Sequence, residues 1–299
     1  MDEATFDDAD GVRVGFRRWK PSSPTGIVLL LHGASEHGGR YERIATALAD
    51  DGWAVYAIDH RGHGLTARST GRGIMGPGGF DGLLDDIDHL RQLAVDEVGD
   101  LPVAVLGHSM GSLIALGYVA RAGRGLVGCI LSGSPGVASE GMADMAVAIR
   151  QAADAGMSDV AMEAMLSPFN QPFEPARTQF DWLSRDEAEV DKFIADPDCG
   201  EDLLLTYGFV AELMNVAAAA TERDSIAAMP TDLPFLLVTG ERDPVSNDAA
   251  QVRALEQVLR DTDHEVTARY YADARHEVLN ETNRDEVHAD IVGWLKARR

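Results

Sequence analysis

Short apolar runs alternate with longer helical patterns along most of the chain. Runs bounded by glycine, proline or polar residues predict buried strands. These strands cover residues 27–31, 53–58, 103–106, 126–131, 235–239 and 266–271, and a loosely alternating stretch over residues 12–19 predicts an edge strand. Apolar positions at helical spacing predict helices over residues 41–49, 83–98, 202–220 and 248–259, one from Ser109 onward, and a terminal helix that contains His288. We therefore expect an α/β fold in which helices flank a mostly parallel central sheet.

The alternation of strands and helices stops after residue 136 and resumes near residue 206. The interval holds short helical patches and irregular pieces without a strand signal. We therefore predict a core in two parts, residues 1–135 and 206–299, interrupted by a helical lid over residues 136–205. An insertion at this point of an α/β sheet lies over the carboxyl ends of the strands, where ligands bind.

Five methionines fall within the predicted lid. They are Met142, Met145, Met157, Met162 and Met165. Methionine side chains adapt to flexible apolar partners, so one or two of them would suit the wall of a pocket for a flexible apolar ligand. We expect the others to form the small core of the insertion itself.

The predicted strand over residues 103–106 leads into the motif Gly107-His108-Ser109-Met110-Gly111. A G-x-S-x-G motif between a strand and a helix exposes its serine on a sharp turn, and the positions beside it must be nearly free of side chains. The helix N-terminus behind the turn favours the negative charge that develops during acyl transfer. The alternative is a glycine-rich turn whose serine caps a helix. With a strand before it and a helix after it, the motif favours Ser109 as a nucleophile.

Two later loops supply candidates for the acid and the base that a serine nucleophile needs. Asp243 follows a predicted strand, and Pro244 stiffens the turn behind it. Glu241 is the alternative acid, with a longer side chain nearer the strand end. His276 follows the last predicted strand and fits the chain order serine, acid, histidine. We predict that Asp243 and His276 are the partners of Ser109.

The loop after the strand over residues 27–31 begins His32-Gly33-Ala34 and is a candidate source of oxyanion-stabilising groups. A tetrahedral intermediate needs two amides directed at one oxygen, one from the residue after the nucleophile and one from this loop. Met110 and Ala34 are the predicted donors. The alternative is an ordinary strand-to-helix loop.

A second polar turn, Asp59-His60-Arg61-Gly62-His63-Gly64, follows the predicted strand over residues 53–58. Its two histidines and its aspartate raise the alternative of a metal site. The glycines favour a tight turn whose polar side chains tie neighbouring loops together, and the ligand pattern of known histidine-rich metal sites is absent from the sequence. We therefore predict a structural role for this turn.

The acidic composition narrows the range of partners. The formal net charge of −23 argues against nucleic-acid binding and against electrostatic docking on anionic lipid. The two cysteines, Cys129 and Cys199, are too few for a disulfide framework and lack metal-ligand spacing. The N-terminus is too polar for a signal peptide, and no apolar stretch reaches the roughly 18 residues of a membrane span. We expect a cytoplasmic protein that binds no metal and has at most transient membrane contact through the lid.

Several motifs resemble those of one enzyme family. In chain order they are HGASEHGGRY, DHRGHG, GHSMGS, LSRDEAEVDKFIADP, GERDPVS and ARHEVLNE. Together they look like the monoacylglycerol lipase and lysophospholipase branch of the α/β-hydrolase superfamily, and the resemblance runs along the whole chain. It implies an α/β-hydrolase fold, the same oxyanion donors Ala34 and Met110, and no cofactor. It also implies that Glu36, Arg40 and His108 hold the polar head of a glycerol ester.

The combined prediction is a serine hydrolase that cleaves carboxylic esters through an acyl-enzyme. The resemblance favours a monoacylglycerol or a lysophospholipid-type single-chain ester as the substrate. A haloalkane dehalogenase or an epoxide hydrolase would need an aspartate in place of Ser109 and is therefore disfavoured. A small-ester esterase, an aminopeptidase or perhydrolase with the same three residues, and a slow-turnover ligand receptor stay open as alternatives.

Overall fold

The computed structural model describes residues 1–138, 141–162 and 167–299, and eight strands of this part of the chain lie in one sheet. They are β1 (Asp2–Asp7), β2 (Arg13–Trp19), β3 (Gly26–Leu31), β4 (Trp53–Ile58), β5 (Val103–His108), β6 (Leu126–Ser132), β7 (Phe235–Gly240) and β8 (Val266–Tyr271). Their order across the sheet is β1-β2-β4-β3-β5-β6-β7-β8. Strands β3 to β8 are parallel, whereas β1 pairs antiparallel with β2 and β2 antiparallel with β4. The predicted mostly parallel α/β sheet is confirmed.

The central strands are buried on both faces because their side chains alternate between two separate cores. In β3, Leu29 and Leu31 pack into the larger core, whereas Leu30 packs into the smaller core on the opposite face. All six residues of this strand are buried. Strands of this kind appear in a sequence as continuous apolar runs, which explains why the sequence pattern located them.

The prediction that β2 is an edge strand is wrong. The N-terminal segment forms β1 and covers β2 in an antiparallel pairing that runs from Asp2 opposite Arg18 to Asp7 opposite Arg13. Only Phe6 of β1 is buried, and its acidic side chains are exposed. Charged side chains discourage an edge strand from pairing with other chains. They also give this strand the composition of a polar tail, which hides it in the sequence.

Ten α-helices of the described residues connect the strands and cover the sheet. They are α1 (Glu42–Asp50), α2 (Ala67–Thr70), α3 (Gly79–Val98), α4 (Met110–Ala122), α5 (Met142–Ala152), α6 (Glu187–Ala195), α7 (Tyr207–Thr221), α8 (Arg223–Ala227), α9 (Ala250–Asp261) and α10 (Arg284–Lys296). Helices α1 and α10 pack on the smaller core, and α3, α4 and α9 pack on the larger one. Within the described ranges, no helix combines the length and the apolar character that crossing a bilayer requires.

The helix predicted over residues 202–220 begins only at Tyr207. Thr206 has an extended conformation, and its hydroxyl accepts a hydrogen bond from the Phe209 N–H over 3.3 Å. This side chain caps the helix, and the preceding residues Gly200–Asp202 form a separate 3-10 turn. A capping side chain therefore sets the start of α7, although the apolar pattern continues upstream of it.

The lid segment (residues 136–205) has a small core of its own, made of aromatic and aliphatic side chains and one cysteine. Its members are Phe180, Trp182, Leu183, Val190, Phe193 and Cys199. None of the four described lid methionines belongs to it, so the expectation that they form this core is wrong for these residues. Met145 and Met157 are exposed, and Met162 packs against the larger core. Met165 lies outside the described residues.

Candidate active site

Ser109 stands between β5 and α4 in a backbone conformation that residues with a side chain rarely adopt. Its φ is 51° and its ψ is −118°. The turn is so tight that a Cβ atom on Gly107 would lie 2.2 Å from the carbonyl oxygen of Gly111. The motif therefore needs glycine because two backbone segments approach each other closely. This geometry places Ser109 at the carboxyl end of the sheet, at the N-terminus of α4.

The structure brings Ser109, His276 and Asp243 into one hydrogen-bonded row. The Ser109 hydroxyl donates to His276 Nε2 over 2.9 Å. On the other side of the ring, Nδ1 donates to Asp243, with 3.0 Å to Oδ1 and 3.1 Å to Oδ2. The ring nitrogens have these roles because a carboxylate can only accept. Asp243 is fully buried, and its Oδ1 also accepts from the Val245 N–H over 2.9 Å. The carboxylate therefore fixes both the tautomer and the orientation of the imidazole.

The electrostatic surroundings of His276 favour its protonated form. Burial alone lowers the pKa of a histidine, but the charge and the hydrogen bond of Asp243 oppose burial, and Glu277 and Glu36 contribute further. The pKa of His276 is therefore raised above its ordinary value of 6.5. An imidazole with this bias is well suited to accept a proton from the hydroxyl group that it contacts.

Glu241, the alternative acid, does not reach this row. Its carboxylate accepts a hydrogen bond from Arg253 over 2.7 Å, and both side chains are about half exposed. Asp243 instead precedes a short 3-10 turn that has Pro244 at its first position, and its side chain is buried. Of the two candidate acids, the structure therefore places Asp243 beside His276.

The two predicted oxyanion donors lie at the Ser109 turn. Ala34, in the loop after β3 (residues 32–37, the oxyanion loop), lines the same small cavity as Ser109. Met110 is the first residue of α4. In the described part of the chain, neither the Ala34 N–H nor the Met110 N–H has a hydrogen-bond partner. Unpaired N–H groups of this kind can hold an anionic oxygen. The assignment of these two residues stays a prediction.

Glu36 and Arg40 belong to a buried network of charges. The Glu36 carboxylate accepts hydrogen bonds from the Gly33 N–H and the Tyr41 hydroxyl, both at 2.6 Å, and from Arg40 at 2.5 Å. Arg40 also donates two hydrogen bonds to Glu277, of 2.6 and 2.8 Å. Burial opposes the ionisation of Glu36, but Arg40 and the neighbouring histidines lower its pKa to about 2. Contact of Glu36 and Arg40 with a substrate head group stays a prediction.

Glu277 and Tyr41 are members of this network that the sequence reasoning missed. The sequence gives only a weak signal for either residue: Glu277 directly follows the candidate base, and Tyr41 directly follows Arg40. Glu277 contacts Arg40 across 237 positions of the chain. A local sequence pattern cannot predict a pairing between residues so far apart in the chain.

His108 lies beside His276, with the centres of the two rings 4.9 Å apart. Its Nδ1 donates to the carbonyl oxygen of Ser132 over 3.1 Å. Burial, together with the neighbouring His276, lowers the pKa of His108 to about 4. His108 is therefore neutral near pH 7, and its predicted contact with a head group stays a prediction.

The polar turn after β4 ties neighbouring loops together, as predicted. Asp59 accepts hydrogen bonds from the N–H groups of Gly38 and Leu65 and from the Arg17 guanidinium, each at 2.8 Å. Asp59 is fully buried, and Arg17 is nearly so. A single carboxylate thus joins strand β2, the segment before α1 and the turn itself.

Three buried histidines lie at the oxyanion loop: His32 begins the loop, and His60 and His63 belong to the turn after β4. His63 Nε2 accepts a hydrogen bond from the Ser35 N–H over 3.3 Å, and His32 Nε2 accepts from the His60 N–H over 2.9 Å. Burial lowers the pKa of His32 to about 4, that of His63 to about 3, and that of His60 well below its ordinary value. All three rings are therefore neutral near pH 7, and the ring of His63 supports the loop through its bond to Ser35.

One group of described side chains has donor atoms close enough together to hold a metal ion. These are His37, Asp196 and Cys199, whose ligand atoms lie within 4.8 Å of one another. His37 Nε2 and Asp196 lie 3.0 Å apart, and His37 Nδ1 accepts from the Gly39 N–H over 3.1 Å. The neutral ring therefore directs a proton, not a lone pair, at Asp196, and this arrangement does not suit a metal ion.

Part of the lid segment packs at the Ser109 site. The ring of Trp182 lies 5.1 Å from that of His276, and the Gly200 N–H donates to the Ser35 carbonyl oxygen over 2.9 Å. The cavity left at Ser109 has a volume of about 30 Å³.

Comparison with known proteins identifies relatives that match nearly the whole chain. The family model described as "Serine aminopeptidase, S33" matches residues 22–283. The monoacylglycerol lipase of Mycolicibacterium smegmatis is 29% identical over 294 residues, which cover 98% of this chain and 96% of that protein. The monoglyceride lipase of Homo sapiens is 30% identical over 296 residues, which cover 97% of this chain and 89% of that protein.

Solved structures give the same result. The crystal structure of a highly thermostable carboxyl esterase from Bacillus coagulans in complex with glycerol matches with a TM-score of 0.93 and 28% identity. The match covers 99% of this chain and 98% of that one. Fold, family model and relatives agree, so the chain belongs to the S33 serine aminopeptidase family of α/β-hydrolases, in its monoacylglycerol lipase-like branch.

Proposed function

We propose that this carboxylic-ester hydrolase cleaves monoacylglycerols or similar single-chain lipid esters through an acyl-enzyme on Ser109. One observation carries the assignment of the catalytic residues, the hydrogen-bonded row from Ser109 Oγ through the His276 ring to Asp243. The substrate class is supported by the activities of the relatives and by an apolar cavity lined by residues of α4, α5 and α7.

In the first half of the reaction, Ser109 Oγ attacks the carbonyl carbon of the ester while its proton passes to His276 Nε2. Asp243 stabilises the imidazolium that forms, because it already accepts the Nδ1 hydrogen bond. The proton then passes to the oxygen of the leaving alcohol, and the C–O bond breaks to leave an acyl group on Ser109. In the second half, His276 takes a proton from a water molecule while the water oxygen attacks the acyl carbon. The proton then returns to Ser109 Oγ as the acyl–Oγ bond breaks, which releases the fatty acid and restores Ser109.

The oxygen of each tetrahedral intermediate carries negative charge, and we assign the N–H groups of Ala34 and Met110 as its donors. Support comes from their lack of other partners among the described residues and from their place at the Ser109 turn. The N-terminus of α4 adds the positive end of a helix dipole. The Glu36 carboxylate accepts a hydrogen bond from the Gly33 N–H, so this N–H is already occupied. We therefore assign the next N–H, that of Ala34, to the substrate oxygen.

The acyl chain would extend into an apolar cavity between α4, α5 and α7. The cavity has a volume of about 70 Å³, and its walls include Leu113, Met142, Ala146 and Met214. Leu113 lies four residues after Ser109, on the same helix α4 that follows the nucleophile turn. Methionine side chains adapt their shape at low cost, so Met142 and Met214 can widen the cavity around a bound chain.

Residues 136–205 are proposed to act as a lid over a core formed by residues 1–135 and 206–299. Support comes from contacts on both sides of the site. The Trp182 carbonyl accepts from the His276 N–H over 3.4 Å, and the Gly200 N–H binds Ser35 of the oxyanion loop. The lid thus touches both the base and the loop that holds an oxyanion donor.

The family description raises aminopeptidase activity as a second candidate. An aminopeptidase needs a carboxylate that is free to bind the α-ammonium group of a peptide. Two carboxylates line the cavity at Ser109, those of Glu36 and Glu277, and both are paired with Arg40. Among the described residues, the cavity therefore offers no unpaired carboxylate to an ammonium group, which favours a neutral ester.

The test joins active-site labelling to a substrate panel. A fluorophosphonate should label the wild-type protein at Ser109 and leave Ser109→Ala unlabelled, inactive and folded. Initial rates on monoacylglycerols, p-nitrophenyl acetate, aminoacyl anilides and hydrogen peroxide with an ester should be highest on monoacylglycerols. Highest rates on anilides would identify an aminopeptidase, and highest rates on acetate a small-ester esterase. Labelling without turnover of any of these substrates would identify a receptor.

A further inference from the structure

The buried carboxylate of Glu277 directly follows His276 and has no role in the reaction as derived so far. We propose that Glu277 is a positioning residue that, by binding Arg40, holds the base loop (residues 272–277) against the oxyanion loop. The inference rests on the proposed function, because it concerns how the Ser109–His276 chemistry is kept in register with the oxyanion donors.

Glu277 is fixed by three side-chain hydrogen bonds. Its Oε1 accepts from Arg40 Nη1 over 2.6 Å, and its Oε2 accepts from Arg40 Nη2 over 2.8 Å and from Asn280 over 3.1 Å. Only 4% of the residue is exposed. A carboxylate held by both arms of a guanidinium has a defined distance and a defined plane. Glu277 therefore cannot rotate without breaking a buried pair of charges.

Arg40 carries this constraint across to the oxyanion loop. Its Nη1 donates to Glu36 Oε2 over 2.5 Å, and Glu36 Oε1 accepts from the Gly33 N–H over 2.6 Å. Gly33 is the residue directly before Ala34. A continuous path of hydrogen bonds therefore connects the residue after the base to the residue before the proposed oxyanion donor.

The backbone of Glu277 is held from the lid side as well. Its N–H donates to the Leu183 carbonyl oxygen over 2.7 Å, and the ring of Phe193 lies 4.7 Å from the Arg40 guanidinium carbon. The base loop, the oxyanion loop and the lid thus all meet at the Arg40–Glu277 pair. A change in this pair should move the His276 ring relative to the oxyanion donors, and small displacements of reacting groups reduce rates strongly.

The charge of Glu277 should affect the pKa of His276, which a purely structural role of Glu277 would leave unchanged. The charged and titratable groups that face His276 are Asp243, Glu277, Glu36, Arg40 and His108. Glu36 and Glu277 share a single arginine, so the network leaves one negative charge in excess near the ring. That excess stabilises the imidazolium, and it raises the pH at which His276 loses its proton.

Two variants separate the charge from the geometry. Glu277→Gln keeps the shape and removes the charge. We expect its kcat to fall about tenfold, and the acid limb of the pH profile of kcat/KM to move to lower pH by about 0.5.

Arg40→Lys keeps every charge and loses the two-armed contact. We expect its kcat to fall about tenfold without a shift of the limb. In Glu277→Gln the ratio of KM values for a glycerol ester and a methyl ester should stay unchanged, because Glu277 does not act by holding the head group.

Glu189→Gln is the matched control. Glu189 is a buried glutamate of α6 whose carboxylate binds Arg43 of α1 over 2.5 Å and Lys192 over 2.8 Å. It joins the lid segment to the core, and among the described residues it has no hydrogen bond to the base loop or the oxyanion loop. We expect this variant to lose thermal stability while its kcat and its acid limb stay at the wild-type values. Rates are expressed per Ser109 labelled by fluorophosphonate, so only folded and active molecules are compared.

The outcomes distinguish this inference from the proposed function. Wild-type protein that does not label at Ser109 would remove the proposed function itself. Normal labelling, with wild-type rates and limbs in Glu277→Gln and Arg40→Lys, would overturn the positioning role and leave Ser109 in place. A limb that shifts equally in Glu189→Gln would also overturn it. If Glu277→Gln does not fold, the kcat of Arg40→Lys decides the question, because that variant leaves no carboxylate of the network unpaired.

Discussion

Gly111 of helix α4 packs directly on the end of strand β3, where a Cβ atom on this glycine would lie 2.1 Å from the carbonyl oxygen of Leu31. The obstructing atom belongs to the backbone of a fully buried central strand and cannot turn aside. The second glycine of the G-x-S-x-G motif is therefore needed for packing of the helix against the sheet, while the first allows the turn to close. The strained conformation of Ser109 depends on both contacts.

We expect Gly111→Ala to displace the Ser109 turn and to lower kcat/KM about 100-fold or more. The measurement is ester hydrolysis per milligram of folded protein, with circular dichroism as the check on folding. Gly117→Ala, in the same helix, is the control. A Cβ atom there would meet the end of the Val216 side chain at 3.2 Å, which can yield, and hydrolysis should stay within about twofold of wild type. Equal losses in the two variants would contradict the steric argument.

The two candidate acids should separate clearly on substitution. Asp243→Asn is expected to lower kcat about 10⁴-fold with little change in KM, because the carboxylate stabilises an imidazolium that forms only during the reaction. Glu241→Gln removes only an exposed contact with Arg253 and should stay within about twofold of wild type. Steady-state kinetics on a soluble ester measure both. A larger defect in Glu241→Gln would reverse the assignment.

The sequence predicted the parts of the fold and the site that depend on local pattern. The buried strands were visible because both of their faces are apolar, and Ser109 was visible because a turn of this kind needs glycines at fixed spacing. Asp243 and His276 followed from chain order and from their place after a strand. These signals are local, so they require no knowledge of how distant segments meet.

The parts that the sequence did not predict depend on distant contacts. Strand β1 has an acidic composition and forms through backbone pairing with β2, so its side chains give little sign of it. Glu277 gains its partner from a residue 237 positions away. Helix α7 begins later than the apolar pattern suggests, because the Thr206 side chain caps the helix at this point although apolar residues continue upstream of it. In each case the deciding interaction joins groups that no single stretch of sequence contains.

The acid limb of activity should report His276. The base must be neutral to take the Ser109 proton, so kcat/KM rises with pH as His276 deprotonates. Because burial is outweighed by Asp243 and the two neighbouring glutamates, the pKa of His276 is raised, and we expect the midpoint of the limb above pH 6.5. His108→Gln should leave the midpoint in place, since the pKa of His108 is about 4 and its ring is neutral throughout this range. A midpoint well below 6.5 would contradict the description of this site.

Stability should fall in mild acid because of the buried histidines. The folded pKa values of His32 and His63 are about 4 and about 3, below the 6.5 of an unfolded chain, so the unfolded state takes up protons first as the pH falls. Their contribution is therefore complete above about pH 6.5 and declines below it. Each such histidine lowers the free energy of unfolding by about 1.4 kcal/mol per pH unit between 6.5 and its folded pKa.

Urea unfolding at pH 7, 6 and 5 measures this slope. His63→Gln keeps a group that can accept from the Ser35 N–H, and it should reduce the slope by about 1.4 kcal/mol per pH unit. His89→Gln is the control for a histidine substitution as such, because His89 is exposed. A slope that is the same in all three proteins would show that the buried histidines do not control acid stability.

Chain-length preference tests the acyl cavity between α4, α5 and α7. Each CH₂ group that enters the cavity should stabilise the bound state by about 0.8 kcal/mol, so kcat/KM should rise about fourfold per CH₂ until the cavity is full and then stop or reverse. Ala146→Leu fills space beside Met142 and Met214 and should move the optimum to shorter chains, with little change for an acetate. Triacylglycerols should react poorly, because a narrow cavity closed by the lid cannot admit three chains. The measurement is initial rates on monoacylglycerols of rising chain length, with matched triacylglycerols and acetates alongside. If acetates react fastest and Ala146→Leu leaves every rate unchanged, the cavity is not the acyl site and the protein is a small-ester esterase.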